Sequence, residues 1–116
     1  MSLLARVVET RDENVSIAAV EGEIDASNAS EIAERLRTLL TNRSSLLVVD
    51  LTATTYIDSA GINLLFELAS ELEHRQQQLR LVVAPGSPIA RMAAIVGLDA
   101  AVPTHSTRAS ALAGQS

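Results

Sequence analysis

Two stretches of the chain are apolar at nearly every position, and they limit the possible fold more than any other feature. They are residues 46–51 and 79–84. A strand with this pattern has both faces covered, as in a parallel sheet packed between helices. Apolar residues recur at helical spacing around these stretches, over residues 29–40, 62–72 and 89–96. Because strands and helices alternate, the chain requires right-handed crossovers and a largely parallel sheet.

The start of the chain follows a different pattern, which predicts a β-hairpin. Residues 3–9 suit a strand, residues 11–14 a polar turn and residues 15–24 a second strand. Two strands this close in sequence should pair antiparallel. Residues 25–28 then supply helix-capping side chains directly before the first helical segment.

The last third of the chain adds shorter elements. Pro88 suits the first turn of a helix, and Gly97 can end that helix with a left-handed residue. We expect a short strand near Ala101 and Val102, a last helix from about Ser106 to Leu112, and fraying of the final residues. The predicted fold class is therefore α/β. One domain spans residues 1–116, with a mixed, mostly parallel sheet of about five strands, an N-terminal β-hairpin and about four helices.

The composition excludes several kinds of chemistry. The chain has no cysteine and no lysine, so disulfides, thiolate metal sites, Schiff bases and a P-loop lysine are ruled out. A net charge of −5 argues against nucleic acid or an anionic membrane as the main partner. His74 and His105 lie far apart in sequence, without ligand-like spacing, and are expected at the surface. With no secretion signal or membrane segment apparent, we expect a cytoplasmic protein.

The most distinctive stretch follows the first apolar run and reads Asp58-Ser59-Ala60-Gly61 before an apolar helix. Asp58 or Ser59 is the natural N-cap of that helix. Glycine in a first turn costs about 1 kcal/mol relative to alanine. Gly61 therefore indicates close backbone packing or close approach of a partner. From residue types alone, a capped helix with no further role is the favoured explanation of the stretch.

The surrounding residues resemble the STAS family, in particular the bacterial anti-sigma factor antagonists. The signature of that family is an apolar strand, then Asp-Leu-Thr or Asp-Leu-Ser, a few residues, and an apolar residue before Asp-Ser-Ser/Ala-Gly. Here these parts are Asp50-Leu51-Thr52 and Ile57-Asp58-Ser59-Ala60-Gly61. The likeness extends to Gly22-Glu23-Ile24-Asp25, Leu81-Val82-Val83-Ala84 and Val96-Gly97-Leu98-Asp99, so it covers essentially the whole chain.

The resemblance implies a protein-binding switch rather than an enzyme. In the family, the serine after the aspartate is phosphorylated by a partner serine kinase that is itself the anti-sigma factor, and a phosphatase reverses the modification. Ser59 occupies that place here. The dephosphorylated form binds the kinase and frees a sigma factor to activate transcription in a stress response. The implied chain is a monomer or weak dimer that needs no cofactor or metal. Its implied partner-binding residues are Asp25, Asn28, Asp58, Ser59, Ala60 and Gly61.

Two departures from the family pattern are modest. A common threonine in the first helix-capping segment is replaced by Asn28, which is also a capping residue. Ala60 replaces the second serine of the motif, which leaves one acceptor hydroxyl there.

Two other functions remain open at this point. One is an accessory subunit that docks on a transporter ATPase or a sensor assembly without phosphorylation. The other is a hydrolase built from Ser59, His105 and Asp50, although Ser59 lacks the Gly-x-Ser-x-Gly elbow. Asp50 could bind a ligand at the end of its strand, but polar termination of a buried strand also explains it. Asp25 likewise has a structural and a functional interpretation, as a helix-terminal cap or as a partner contact.

Overall fold

The computed structural model describes residues 4–40 and 45–113. Strands and helices alternate along the chain after an initial hairpin. The strands are β1 (Ala5–Asp12), β2 (Val15–Ile24), β3 (Leu46–Asp50), β4 (Thr54–Ile57), β5 (Gln78–Val82) and β6 (Thr104–His105). The helices are α1 (Ala29–Leu39), α2 (Ser59–His74), α3 (Pro88–Val96), α4 (Leu98–Ala101) and α5 (Arg108–Leu112). No helix in these ranges is long and apolar enough to span a membrane.

The strands form one mixed sheet in the order β1-β2-β3-β5-β6. Among the described strands, only the β1–β2 pair is antiparallel. β2 is long enough to have two parallel neighbours on one edge. Its first half pairs with β3, and its last residues pair with β4, with a register shift between Gly22 and Glu23 inside the β2–β4 pairing. The predicted α/β class and the N-terminal hairpin are therefore confirmed, and the described residues contribute six strands to the sheet.

The near-continuous apolar runs are explained by burial on both faces of the sheet. Leu47 and Val49 of β3 belong to the larger core, which α1 and α2 cover. Leu46 and Val48 point the other way, into a smaller core that includes Ala111 of α5. Because neighbouring residues of a strand face opposite sides, a strand covered on both sides must be apolar throughout.

Some predicted elements differ in the structure. β4 lies in a segment for which the sequence predicts no strand, because Thr55 and Tyr56 are polar or exposed and the strand is short. The strand expected near Ala101 and Val102 is wrong: Ala101 ends α4, and the strand lies at Thr104–His105. The first strand extends to Asp12, so the hairpin turn is shorter than expected. The expected strand residue Leu3 and the fraying residues 114–116 fall outside the described ranges.

An ion pair anchors α5 to the sheet. Arg108 Nε donates to Asp50 Oδ2 at 2.6 Å, and the Asp50 side chain is only 8% exposed. Thr52 also donates to Asp50 through its backbone N–H and its hydroxyl. Burial alone would raise the pKa of Asp50, but the hydrogen bonds from Arg108 and Thr52 outweigh it and hold the pKa below the ordinary 3.8. Asp50 therefore terminates a buried strand and holds the C-terminal helix.

The packing of α2 gives a first prediction. Leu65 is 1% exposed within the larger core. Leu65→Ala should cost about 2–5 kcal/mol in the free energy of unfolding, because it removes buried methyl groups and leaves a cavity. Ile95→Ala is the matched control, since Ile95 is 84% exposed on α3, and it should stay within about 0.5 kcal/mol. Denaturant titration of both variants measures the two costs, and equal losses would contradict the assigned helical phase.

The Arg108–Asp50 pair predicts a pH-dependent contribution to stability. Arg108→Met should destabilise the protein by about 1–2 kcal/mol at pH 7, because a largely buried carboxylate loses a charged hydrogen bond. The lowered pKa of Asp50 means that this stabilisation is present above the ordinary value of 3.8 and is lost as the pH falls through the folded value. Unfolding curves at pH 7 and at about pH 3 should therefore show a smaller difference between variant and wild type at the lower pH.

Candidate partner-binding site at the start of α2

Two strands end side by side at the site, and each is followed by an aspartate. Ile24 of β2 lies opposite Ile57 of β4 in parallel register. Asp25 and Asp58 come next, one before each of the helices α1 and α2. Carboxyl ends of adjacent parallel strands meet at one edge of a sheet, where α/β proteins place their binding sites. The sheet thus brings together two of the predicted site residues that are 33 positions apart in sequence.

The sequence offers Asp58 and Ser59 as candidate N-caps of α2, and the carboxylate of Asp58 is the group that caps the helix. Oδ1 accepts hydrogen bonds from the backbone N–H groups of Ala60 at 2.9 Å and Gly61 at 3.3 Å. Oδ2 accepts a further bond from the backbone N–H of Ala26 at 3.3 Å. One side chain therefore satisfies the first turn of α2 and also fixes the loop between β2 and α1. The contact to Ala26 is not among the expectations from the sequence, although the repeated Ile-Asp at residues 24–25 and 57–58 is a visible signal for it.

Ser59 is the first residue of α2 and is exposed. Its hydroxyl forms no hydrogen bond with any residue in the described ranges, because Asp58 already takes the capping role. The side chain stands beside a carboxylate at the positive end of a four-turn helix. Chemically, the arrangement is an accessible nucleophilic hydroxyl that another protein can reach without disturbing a bond of the fold.

The loop before α1 is held by its own polar side chains. Asp25 Oδ1 accepts from the backbone N–H of Ser27 at 2.9 Å and from its hydroxyl at 2.5 Å. The hydrogen bond from the Ser27 hydroxyl is the main reason that the pKa of Asp25 lies below its ordinary value. Asp25 therefore stays ionised and orders the loop next to Asp58.

Asn28 does not cap α1 through its side chain, contrary to the sequence-based expectation. Its Oδ1 accepts from the backbone N–H of Asp25 at 2.9 Å, and its Nδ2 donates to the carbonyl of Glu23 at 2.8 Å. The residue is only 1% exposed. Its contribution to the site is to shape the loop from within, since the amide offers almost no surface to a partner.

Gly61 lets α2 approach the strand ends closely, as the sequence indicated. A Cβ atom at this position would lie 2.5 Å from Ile57 Cγ1 and 2.8 Å from Ile24 Cγ2. Both isoleucines are buried at 1% exposure and are branched at Cβ, so they have little freedom to move away. Glycine thus sets the height of the first turn of α2 above the sheet, and with it the position of Ser59.

The three residues of the hydrolase alternative are not brought together. Asp50 follows Val48 in alternation and faces the smaller core, where it bonds to Arg108. His105 is half-buried rather than fully at the surface, and its Nδ1 lies 3.0 Å from Ser110 Oγ. Neither residue bonds to Ser59 in the described part of the chain. The same ranges hold no cluster of three or more His, Asp or Glu side chains that could bind a metal ion.

Comparison with known proteins identifies the family. A STAS domain family model matches residues 6–111. The chain belongs to the STAS domain family. The anti-sigma-F factor antagonist RsfB of Mycobacterium tuberculosis is 32% identical over 109 residues, which cover 92% of this STAS chain and 87% of RsfB. The resemblance found in the sequence is therefore confirmed at the level of the family and its named relatives.

Solved STAS structures share the fold at lower sequence identity. An anti-sigma factor antagonist from Mycobacterium paratuberculosis superposes with a TM-score of 0.82 at 24% identity, covering 93% of this chain and 91% of that protein. SpoIIAA has been solved in an unphosphorylated form, with a TM-score of 0.65 at 17% identity over 93% of this chain and 94% of that protein. The phosphorylated form of Bacillus SpoIIAA has a TM-score of 0.64 at 17% identity, over 92% of this chain and 96% of that protein.

The tight contact at Gly61 gives a stability prediction. Alanine improves helix propensity by about 1 kcal/mol, but its Cβ would overlap Ile57 and Ile24. Overpacking of this kind costs about 1–3 kcal/mol, so Gly61→Ala should be destabilising overall. Ser59→Ala, two residues earlier in the same turn, should remain within about 0.5 kcal/mol. Thermal or denaturant unfolding decides the sign, and a stabilised Gly61→Ala would show that the first turn has room.

Proposed function

We propose that this STAS domain is a phosphorylation-switched anti-sigma factor antagonist. The observation that carries the proposal is the exposed hydroxyl of Ser59, which has no hydrogen-bond partner in the described ranges and stands at the start of α2 beside the Asp58 carboxylate. The names of the relatives support the same role. The partner would be an anti-sigma factor that is a serine kinase, and its sequestration would free a sigma factor.

The geometry at Ser59 supports a modification that leaves the fold intact. A phosphate adds roughly −1.5 to −2 charges at pH 7. The dipole and first-turn N–H groups of a helix favour negative charge at its N-terminus. Repulsion from Asp58 opposes the phosphate, but Ser59 is exposed, so solvent screens that repulsion. The structures of SpoIIAA in both forms, with TM-scores of 0.65 and 0.64, support a STAS fold that tolerates either state.

The effect of phosphorylation would therefore fall on binding. A kinase surface that accepts Ser59 must match a neutral hydroxyl next to one carboxylate. A doubly charged phosphate in the same place adds volume and a desolvation cost at the contact. We infer that a separate phosphatase restores the binding form and that the domain acts in the cytoplasm as a monomer or weak dimer. It would perform no catalysis of its own and use no cofactor.

The test compares Ser59→Ala with Ser27→Ala, a matched control. Ser27 is also an exposed serine beside an aspartate, but its hydroxyl already donates to Asp25. Each protein is incubated with ATP and the serine kinase that copurifies with the wild type from its native host. Wild type and Ser27→Ala should be labelled, whereas Ser59→Ala should bind the kinase but take up no phosphate. Phosphorylation should weaken kinase binding at least about tenfold, or 1.4 kcal/mol.

Two results would contradict the switch. One is equal labelling of Ser59→Ala and wild type, and the other is unchanged kinase binding by the phosphorylated protein. If the wild type instead copurifies with a transporter ATPase or a sensor assembly and no kinase, the docking-subunit function replaces the proposed one.

A further inference from the structure

A groove of about 360 Å³ separates α1 from α2 next to the proposed phosphorylation site. Its near end begins at Ala26 and Ala60. Ala60 directly follows Ser59, and the backbone of Ala26 is fixed by Asp58. A protein that covers Ser59 must therefore also lie over the mouth of this groove. Its volume is at the small end for ligand pockets, so it suits one or two side chains of a partner.

The groove combines an apolar floor with acidic sides. Small and aliphatic residues form the floor, namely Ala26, Ala29, Ala33, Ala60 and Leu64. Glu34 from α1 and Glu67 from α2 line it from opposite helices. The Glu34 side chain is 75% exposed, and Glu67 is exposed as well. Negative charge thus flanks a groove with an apolar floor, and Ser30 and Asn63 add polar side chains to its lining.

Arg37 is the one cation among the described residues that line the groove, and it is already paired. Arg37 closes the far end, where its Nε and Nη2 each donate to a carboxylate oxygen of Glu71 at 2.8 Å. A longer contact of 3.4 Å joins it to Glu34. The hydrogen bond to Glu71 is the main cause that raises the pKa of Arg37. Because three carboxylates, those of Glu34, Glu67 and Glu71, surround this one guanidinium, negative charge exceeds positive charge along the groove.

We propose that the groove receives an arginine or lysine side chain of the anti-sigma factor kinase, with its cationic group between Glu34 and Glu67. The inference rests on the proposed function and adds a second contact to it. Arginine and lysine bury their aliphatic stems along apolar surface and keep the charged group at a polar rim. The alanine floor and the two carboxylates match the two parts of such a side chain. An acidic segment or a nucleic acid would instead be repelled.

The first experiment removes the two negative charges without changing side-chain size. Glu34→Gln/Glu67→Gln is compared with Glu9→Gln/Glu73→Gln, which removes two exposed carboxylates outside the groove. The binding partner is the purified serine kinase obtained by copurification with the wild type. The groove variant should bind about tenfold more weakly near physiological salt and lose part of the salt dependence of binding. The control variant should stay within about twofold of the wild type.

A second pair of variants places a cation of the chain itself in the groove. Ser30 lines the groove on α1, whereas Ser70 is exposed on α2 outside the groove lining. Ser30→Arg should occupy the acidic channel and block kinase binding by about tenfold or more, and Ser70→Arg, with the same change in net charge, should not. Equal effects in both members of either pair would mean that binding responds to net charge, and would overturn the proposal.

The outcomes separate the groove from the switch. If both groove variants bind like the wild type while phosphorylation of Ser59 still weakens binding, the groove proposal is wrong and the proposed function stands. If the wild type binds no serine kinase, the proposed function fails and the groove proposal fails with it. Weakening confined to Glu34→Gln/Glu67→Gln and Ser30→Arg supports the groove proposal, whereas the switch is supported only if phosphorylation of Ser59 also weakens binding.

Discussion

The carboxylate of Asp58 is shared between two segments that are distant in sequence, and the arrangement of the site depends on it. One oxygen accepts from the first turn of α2 and the other from Ala26 in the loop before α1. The first N–H groups of a helix have no partner within the helix, so the cap is needed whatever the function. Because Asp58 supplies that cap, the hydroxyl of Ser59 is left without an internal bond, and the two helix starts keep a fixed spacing across the mouth of the groove.

The sequence was sufficient for the central part of the fold and insufficient for its edges. The buried runs that became β3 and β5 were evident because both faces of these strands are covered. The sequence did not predict β4, because the pairing of this strand depends on the backbone of β2 and not on a pattern in its own residues. Gly22 has a φ of +108°, and the pairing of β2 with β4 begins at this residue and shifts its register directly after it. A short strand such as Thr54–Ile57 has no periodicity of its own that would reveal this pairing.

The site was predictable in its residues and only partly in their physical roles. Family resemblance indicated Asn28, but its amide bonds inward to Asp25 and Glu23 instead of capping α1. Gly61 was correctly expected to mark a close approach, because glycine in a first helical turn is otherwise unfavourable. The groove could not be seen in the sequence at all. It results from the packing of α1 against α2, which Arg37 and Glu71 join across 34 positions.

The two contacts proposed for the kinase act through different physical effects. An acidic groove attracts a basic side chain over a distance, and salt screens that attraction within about 10 Å at 0.1 M. A phosphate on Ser59 would also attract a basic partner at long range, so long-range charge alone cannot weaken binding. The loss of affinity must arise at short range, where the added volume and the cost of desolvating the phosphate prevent the surface from closing over α2. In the proposed arrangement, the groove would set how readily the partner approaches, and Ser59 would set whether it can remain bound.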